Sequence, residues 1–313
     1  MKVLVTGGCG FIGSNLIEAL EKDNEITEVY CVDNMSAPRE DALDWLNNRS
    51  KVSFVDACFS SSATLEIIKS DDIDVVYHTA AIPRVGYSVE NPWQTTDTNI
   101  NKTVALMEAC VGNIRRFIFS SSSSVYGGAE KLPTPADYKK NPKSPYAWQK
   151  DSIEDLLKIF CDLYEDFDAV CLRYFNVFGP GQFGSSAYST AISAWCYAVK
   201  HGIPLRKDGT GEQSRDLCYV DNVVSANVLA ASYDGKLSGR SFNVACGDRT
   251  SNNQILDHFM SKFPKLEIVQ APFRLGDVMH TQADISDTID VLGYKPLVRF
   301  WEGLDRTYSW WEI

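Results

Sequence analysis

The chain contains no apolar run near the ~20 residues that a membrane-spanning helix requires. It also lacks an excess of positive charge. Lys and Arg number 30 against 41 Asp and Glu, a formal net charge of -11. Such a surface attracts neither nucleic acid nor an anionic bilayer. An anionic small molecule stays admissible where a few arginines converge. No Cys-x-x-Cys pair occurs. The nine cysteines are scattered, odd in number and mostly set in apolar segments such as Val29-Tyr30-Cys31-Val32 and Ala169-Val170-Cys171-Leu172. They read as buried, reduced thiols of a cytoplasmic protein, not as disulfides or zinc ligands. The four histidines are dispersed, so no metal site is expected. The first strand pattern starts at Lys2, which leaves no room for a signal peptide ahead of it.

What is present is enough apolar material, 44% of 313 residues, to bury a sizeable core in one large or two modest domains. Short apolar runs at 2–6, 28–33, 52–55, 73–78, 116–120 and 169–173 alternate with helical patterns at 11–20, 65–69, 95–110 and 152–164. This alternation predicts an α/β fold of Rossmann type: a doubly wound parallel sheet covered on both faces. After Asn176 the pattern loosens. Gly179-Pro180-Gly181 breaks it, and a helix is expected over 188–200. The expected division is a dinucleotide-binding domain over 1–176, to which 212–232 returns, and a smaller C-terminal α/β lobe, mainly 177–313, that holds the substrate.

The first strand runs into Gly7-Gly8-Cys9-Gly10-Phe11-Ile12-Gly13 and then a helix. Glycines at 7, 10 and 13 permit a tight turn, close approach of a pyrophosphate and close helix–strand packing. The helix N-terminus offers free N–H groups and a positive dipole end to phosphates. The triplet alone is weak; its place between strand and helix makes it strong. Asp33 ends the second strand ~20 residues on, where a carboxylate accepts from a ribose 2′-hydroxyl and repels a 2′-phosphate, favouring NAD over NADP.

Tyr146-Ala147-Trp148-Gln149-Lys150 places a phenol and an ammonium one helical turn apart on one face. A tyrosine titrates near ~10, so it serves as a base only if a positive neighbour lowers that value. Lys150 is expected to do so. Ser122 can hold a substrate hydroxyl or carbonyl. The trio is a proton-transfer device for chemistry on an alcohol carbon.

With the glycine loop, the serine and the Tyr-x-x-x-Lys in this order, the chain resembles the extended short-chain dehydrogenase/reductase family, and within it the NAD-dependent nucleotide-sugar epimerases. Further motifs carry the resemblance: His78-Thr79-Ala80-Ala81, Asn99, Phe119–Gly127, Ser144-Pro145-Tyr146, Arg173–Gly179, Ser214-Arg215-Asp216 and Arg274-Leu275-Gly276-Asp277. It implies Ser122, Tyr146 and Lys150 as catalytic residues, with Tyr146 the base and Lys150 on the nicotinamide ribose. It further implies that Gly7, Gly10, Phe11, Ile12, Gly13, Asp33, Asn34, Ala80, Ala81, Asn99 and Tyr174 line NAD. The family usually has Gly-Asp-Ile or Gly-Asp-Leu after the third strand. Here Ala57-Cys58-Phe59 stands there, leaving backbone contacts at Cys58 and Phe59. Ser122, Ser123, Tyr146, Asn176, Arg215, Arg274, Asp277 and Thr281 are implied to hold a nucleotide-sugar. Two guanidiniums can fork its diphosphate.

In the family's 4,6-dehydratases the serine segment carries Thr-Asp-Glu, whose acids eliminate water. Ser122-Ser123-Ser124 has no carboxylate, which points to reversible oxidation at C4, an epimerisation. The segments 242–250 and 276–284 resemble the UDP-N-acetylglucosamine 4-epimerases. In that branch a small residue at the position of Thr281 admits an N-acetyl group, so UDP-GlcNAc/UDP-GalNAc is favoured, with UDP-Glc/UDP-Gal also possible. An epimerase or reductase acting on a dTDP- or GDP-linked sugar is the first alternative. A non-enzymatic dinucleotide-binding regulator is the second, disfavoured by the intact trio. The resemblance also implies a homodimer joined through helices 95–110 and 152–164.

Overall fold

The computed structural model describes residues 1–182, 184, 190–273 and 278–313. The N-terminal half alternates β1 (Lys2–Thr6), α1 (Phe11–Lys22), β2 (Glu28–Asp33), α2 (Ala42–Asn47), β3 (Val52–Asp56), α3 (Ser62–Ser70), β4 (Val75–His78), α4 (Val85–Glu90), α5 (Pro92–Thr96), α6 (Lys102–Cys110), β5 (Arg116–Ser122), α7 (Pro145–Leu163) and β6 (Ala169–Tyr174). The C-terminal half continues with β7 (Val177–Phe178), α8 (Ala191–His201), β8 (Leu205–Asp208), β9 (Ser214–Arg215), β10 (Cys218–Tyr219), α9 (Val220–Ser232), β11 (Arg240–Val244), β12 (Thr250–Ser251), α10 (Asn252–Lys262), β13 (Ile268–Ala271), α11 (Ser286–Leu292) and α12 (Phe300–Trp311).

Seven strands form one sheet in the order β11-β6-β5-β4-β1-β2-β3, and every neighbouring pair is parallel. Both faces are buried, as the near-continuous apolar strands require. Alternation sorts the side chains. Val3, Val5, Ile118, Val170 and Leu172 share one core with Leu16, Ile17, Ala226 and Ala230 of α1 and α9. Leu4, Phe117, Phe119, Ala169 and Cys171 share the other with Ile68, Leu106, Ile153 and Leu157 of α3, α6 and α7. The strand order reverses between β1 and β4, and a doubly wound sheet opens its ligand crevice at that reversal, beyond the carboxyl ends of its strands.

Three differences from the sequence pattern stand out. Arg240–Val244, which the pattern assigns to the C-terminal lobe, pairs with β6 as the seventh strand, so a second segment returns to the first domain beside α9. The expected helix over 95–110 is α5, a π-helical turn over Asp97–Asn101, and α6. The wider turn leaves the apolar spacing almost unaltered while directing Asn99 into the interior. The expected helix over 188–200 is described from Ala191 onward; Tyr188 and Ser189 lie outside the described residues.

Candidate active site

Five strand ends meet at the crevice. β1 leads into the glycine loop, β2 ends on Asp33, β4 leads into Ala80, β5 ends on Ser122, and β6 leads into Asn176. The loop is shaped for a close approach. Gly7 has φ +68°, and a Cβ there would lie 2.8 Å from the Ala80 Cα. A Cβ on Gly13 would lie 2.1 Å from the Gly7 carbonyl. Gly10 caps α1 with no side chain over the helix end, so the first N–H groups, at Phe11 and Ile12, keep their donors for a phosphate.

Asp33 does double service. Its carboxylate accepts from the Cys9 N–H at 3.0 Å and the Met35 N–H at 2.8 Å, tying the glycine loop to the end of β2, while burial pushes its pKa up. Asn34 is exposed and its Oδ1 accepts from the Ser36 N–H and hydroxyl. Ala80 donates its N–H to Thr6 Oγ1 at 3.2 Å, and Ala81 follows it. Phe59 packs its ring 4.9 Å from that of His78, and Cys58 is half-buried with its thiol 3.4 Å from Ser60 Oγ. The cradle left by the glycines and the dipole end behind it fit a dinucleotide pyrophosphate.

Two residues expected to line NAD have their polar atoms committed elsewhere. Asn99 Oδ1 accepts from the Ile82 N–H at 2.8 Å, and its Nδ2 donates to the Ile82 carbonyl and to Gln149 Oε1. It braces the wall beyond Ala81 and has no polar atom left over. The Tyr174 hydroxyl is buried against Ser120 Oγ and Asn227, which leaves its ring and backbone as the only surfaces that could line a cofactor.

Ser122 closes β5 and caps a 3₁₀ turn over Ser123–Tyr126, its Oγ accepting from the Ser124 N–H at 3.2 Å. The Ser122 side chain comes near enough to the Tyr146 phenol to favour its ionised form. Tyr146 stands in the first turn of α7. Pro145 opens that helix, Ser144 Oγ accepts from the Ala147 N–H, and Ser88 Oγ of α4 accepts from the Tyr146 N–H at 3.1 Å. Lys150 follows one turn later; its Nζ donates to the Ser120 carbonyl at 2.7 Å and lies 4.5 Å from the Phe119 ring centroid. The trio is therefore assembled.

Its electrostatics differ from expectation. Burial pushes the Tyr146 phenol up to about 12, opposed only by the nearby Ser122 side chain. Burial also drives Lys150 down to about 7, with Cys171 and Glu154 pulling the other way. Lys150 does not lower Tyr146 here. It spends a hydrogen bond on the Ser120 carbonyl, and its Nζ lies 5.9 Å from the phenol ring centroid.

On the sugar side, Asn176 adopts a left-handed φ of 36°. Its Nδ2 donates to the Asp216 carbonyl at 2.9 Å and to Thr281 Oγ1 at 3.1 Å. Thr281 is half-buried and paired through its backbone with Ser214 and Asp216. Arg215 donates to the carbonyls of Ser214 and Met279. Asp216 turns away from it: its carboxylate is buried, accepts from the N–H groups of Cys246, Gly247 and Ala283, and is pushed up to about 7 by burial. Arg274 and Asp277 lie outside the described residues.

Ser123 and Ser124 follow Ser122 in the turn. Among the described residues the Ser124 hydroxyl is buried with no hydrogen-bond partner, an orphan that suits a ligand oxygen. Ser88 was missed outright, since nothing local marks a serine 58 positions upstream as a cap for α7.

The NAD-dependent epimerase/dehydratase family matches residues 3–245. A UDP-glucose 4-epimerase of Mycolicibacterium smegmatis is 32% identical over 98% of this chain and 97% of its own length. A UDP-N-acetylglucosamine 4-epimerase of Methanobrevibacter ruminantium, solved with UDP-N-acetylmuramic acid, is 36% identical with a TM-score of 0.91, covering 99% of this chain and 98% of that one. A UDP-glucuronic acid 4-epimerase of Bacillus cereus, solved with UDP-glucuronic acid and NAD, is 30% identical with a TM-score of 0.91, covering 100% and 99%. The chain belongs to the NAD-dependent epimerase/dehydratase family, and NAD is its cofactor.

Proposed function

We propose that this protein interconverts the C4 epimers of a UDP-hexose, with UDP-GlcNAc and UDP-GalNAc as its preferred pair. The observation that carries the reading is the placement of Ser122 beside Tyr146, with Lys150 one turn behind it, in a serine turn that bears no carboxylate. The assembly can move one proton reversibly and has no second acid in that turn for elimination of water.

NAD, when bound, would supply the two-electron oxidation and reduction of C4 and a positive charge that favours the phenolate. Tyr146 takes the C4 hydroxyl proton as the alcohol becomes a ketone and returns it after the 4-keto sugar has presented its other face. Ser122 hands that proton path a second hydrogen bond. Lys150 has three N–H donors; Ser120 takes one, and the others suit ribose hydroxyls. Asp33 would meet the adenosine ribose, the Gly7–Gly13 loop the pyrophosphate, and Arg215 with Arg274 the sugar diphosphate. Asn176, Asp277 and Thr281 would border the sugar. Replacing Tyr146 with Phe should lower turnover by about 10²–10⁴-fold while nucleotide binding persists; turnover near that of the wild type rejects the assignment.

The N-acetyl preference rests on Thr281. Its side chain is small and partly open, and it lies within hydrogen-bond reach of Asn176. A Thr281→Tyr variant should lose UDP-GlcNAc turnover selectively and keep UDP-glucose turnover. Parallel loss on both sugars argues that Thr281 only packs.

The nine free cysteines suit a reducing compartment such as the cytoplasm. No helix among the described residues is long and apolar enough to cross a membrane. A homodimer is also part of this reading, formed through α5, α6 and α7.

A further inference from the structure

A buried ion pair sits directly behind the catalytic turn and takes no part in the mechanism above. Glu154 extends the face of α7 that carries Tyr146 and Lys150, one turn further on. Arg173 on β6 grips it with two hydrogen bonds, Nε to Oε1 at 2.8 Å and Nη2 to Oε2 at 2.6 Å. Both side chains are about 95% enclosed. A buried pair of this kind adds little net stability, because desolvation of both charges offsets their attraction.

Its remaining contacts suggest what it does. Ser121 Oγ donates to Glu154 Oε1 at 2.5 Å. Arg173 Nη1 donates to the Tyr126 hydroxyl at 2.8 Å and to the Ala136 carbonyl at 2.6 Å, and its guanidinium lies 5.0 Å from the Tyr126 ring centroid. The Tyr126 hydroxyl in turn donates to Asn243 Oδ1 at 2.6 Å. Ser121 and Tyr126 are the two residues that bound the turn carrying Ser122, Ser123 and Ser124. One ion pair therefore holds both ends of that turn, and through Glu154 it holds them to the helix bearing Tyr146.

We propose that Glu154 and Arg173 are positioning residues that clamp the serine turn against α7 and so set the placement of Ser122 beside Tyr146 for proton transfer. The proposal rests on the epimerase reading for its kinetic consequence, but not for its geometry. Lys140, which pairs with Asp151 and Asp155, closes the solvent side of the clamp with its Nζ 3.9 Å from Glu154 Oε2.

The test is Glu154→Gln in the full-length protein. Glutamine keeps the size and one acceptor oxygen but removes the charge that holds Arg173. Since a misplacement of ~1 Å can cost about 10²-fold in rate, kcat should fall about 10–100-fold. KM for the UDP-sugar should change less than about threefold, because substrate contacts are untouched. A crystal structure of the variant should show the serine turn displaced from Tyr146 and α7 intact. The proposal is overturned by a kcat within about twofold of wild type, by a loss carried on KM, or by a serine turn that has not moved. If Glu154→Gln does not fold, Ser121→Ala, which cuts a single link of the clamp, is judged by the same readouts. If the wild-type protein turns over no UDP-sugar, the functional reading fails, and the variant's crystal structure alone decides the clamp.

Discussion

Lys150 is a cation stored where water cannot reach it. Its side chain is buried, the Ser120 carbonyl takes one donor, and burial drives its pKa from 10.5 down to about 7. Below about pH 7 folded and unfolded chains both carry the proton, and the full cost of burying the charge falls on the folded state. As pH rises from 7 toward 10.5 the folded state sheds a proton that the unfolded state keeps, so this group's penalty shrinks and stability rises. Lys150→Met should therefore be more stable than wild type when stripped of nucleotide. A gain of 1 kcal/mol or more corresponds to a rise in Tm of about 2–4 °C. The gain should be larger at pH 6 than at pH 9, and turnover should be lost. Calorimetry at the two pH values checks this; a lower Tm at both would show that the lysine holds the fold together. The spacing of Tyr146 and Lys150 was legible in the sequence because it is local. The ammonium's actual partner was not, because Ser120 is 30 positions away. With that bond made and its Nζ 5.9 Å from the phenol ring centroid, the ammonium does not depress the tyrosine. The partners of Asn99 were hidden in the same way, because Ile82 and Gln149 come from a loop and a helix distant in the chain.

Helices set the site and also offer a surface. α7 is anchored at its start by Ser144 and Ser88 and, from the π-helical turn and α5, through Gln149, which bonds Asn99, Thr95 and Thr96. Gln149 is buried, so the catalytic helix is pinned to α5 and the π-helical turn. Its outer face leaves Trp148, Ile159 and Leu163 exposed, the last at 69%, and Trp93 of α5 at 79%. Trp148, Ile159 and Leu163 lie near one stripe of a helix, with Ser152 and Asp155 between them, a partly apolar face that a second copy would cover. Ile159→Asp with Leu163→Asp should convert a dimer to a monomer in sedimentation while the fold is retained; a wild-type protein that is already monomeric contradicts the dimer. The helical period was readable along α6 and α7. The π-helical turn was not, because one added residue per turn barely disturbs an apolar pattern over five positions.

At the scale of the molecule, the alternation of strands and helices was enough to anticipate a doubly wound parallel sheet, and the glycine loop marked its crevice. The seventh strand escaped because Arg240-Ser241-Phe242-Asn243-Val244 lacks the apolar run of the other strands; only its pairing with β6 reveals it. That pairing matters for function. β11 carries Asn243, which accepts from Tyr126 and donates to the carbonyls of Thr134 and Asp284, linking the catalytic turn to the segment that leads from Thr281. Bound NAD is proposed to oxidise and re-reduce C4 while the Ser122–Tyr146–Lys150 assembly moves the proton, so that the cofactor is recycled. Proton NMR on the purified protein with UDP-GlcNAc, and separately with UDP-GalNAc, each with NAD well below the substrate concentration, tests it most directly. Both reactions should converge on the same mixture of the two sugars, with many turnovers per NAD. Substrates returned unchanged, or a dehydrated or ketonic product accumulating in step with NAD, would contradict it.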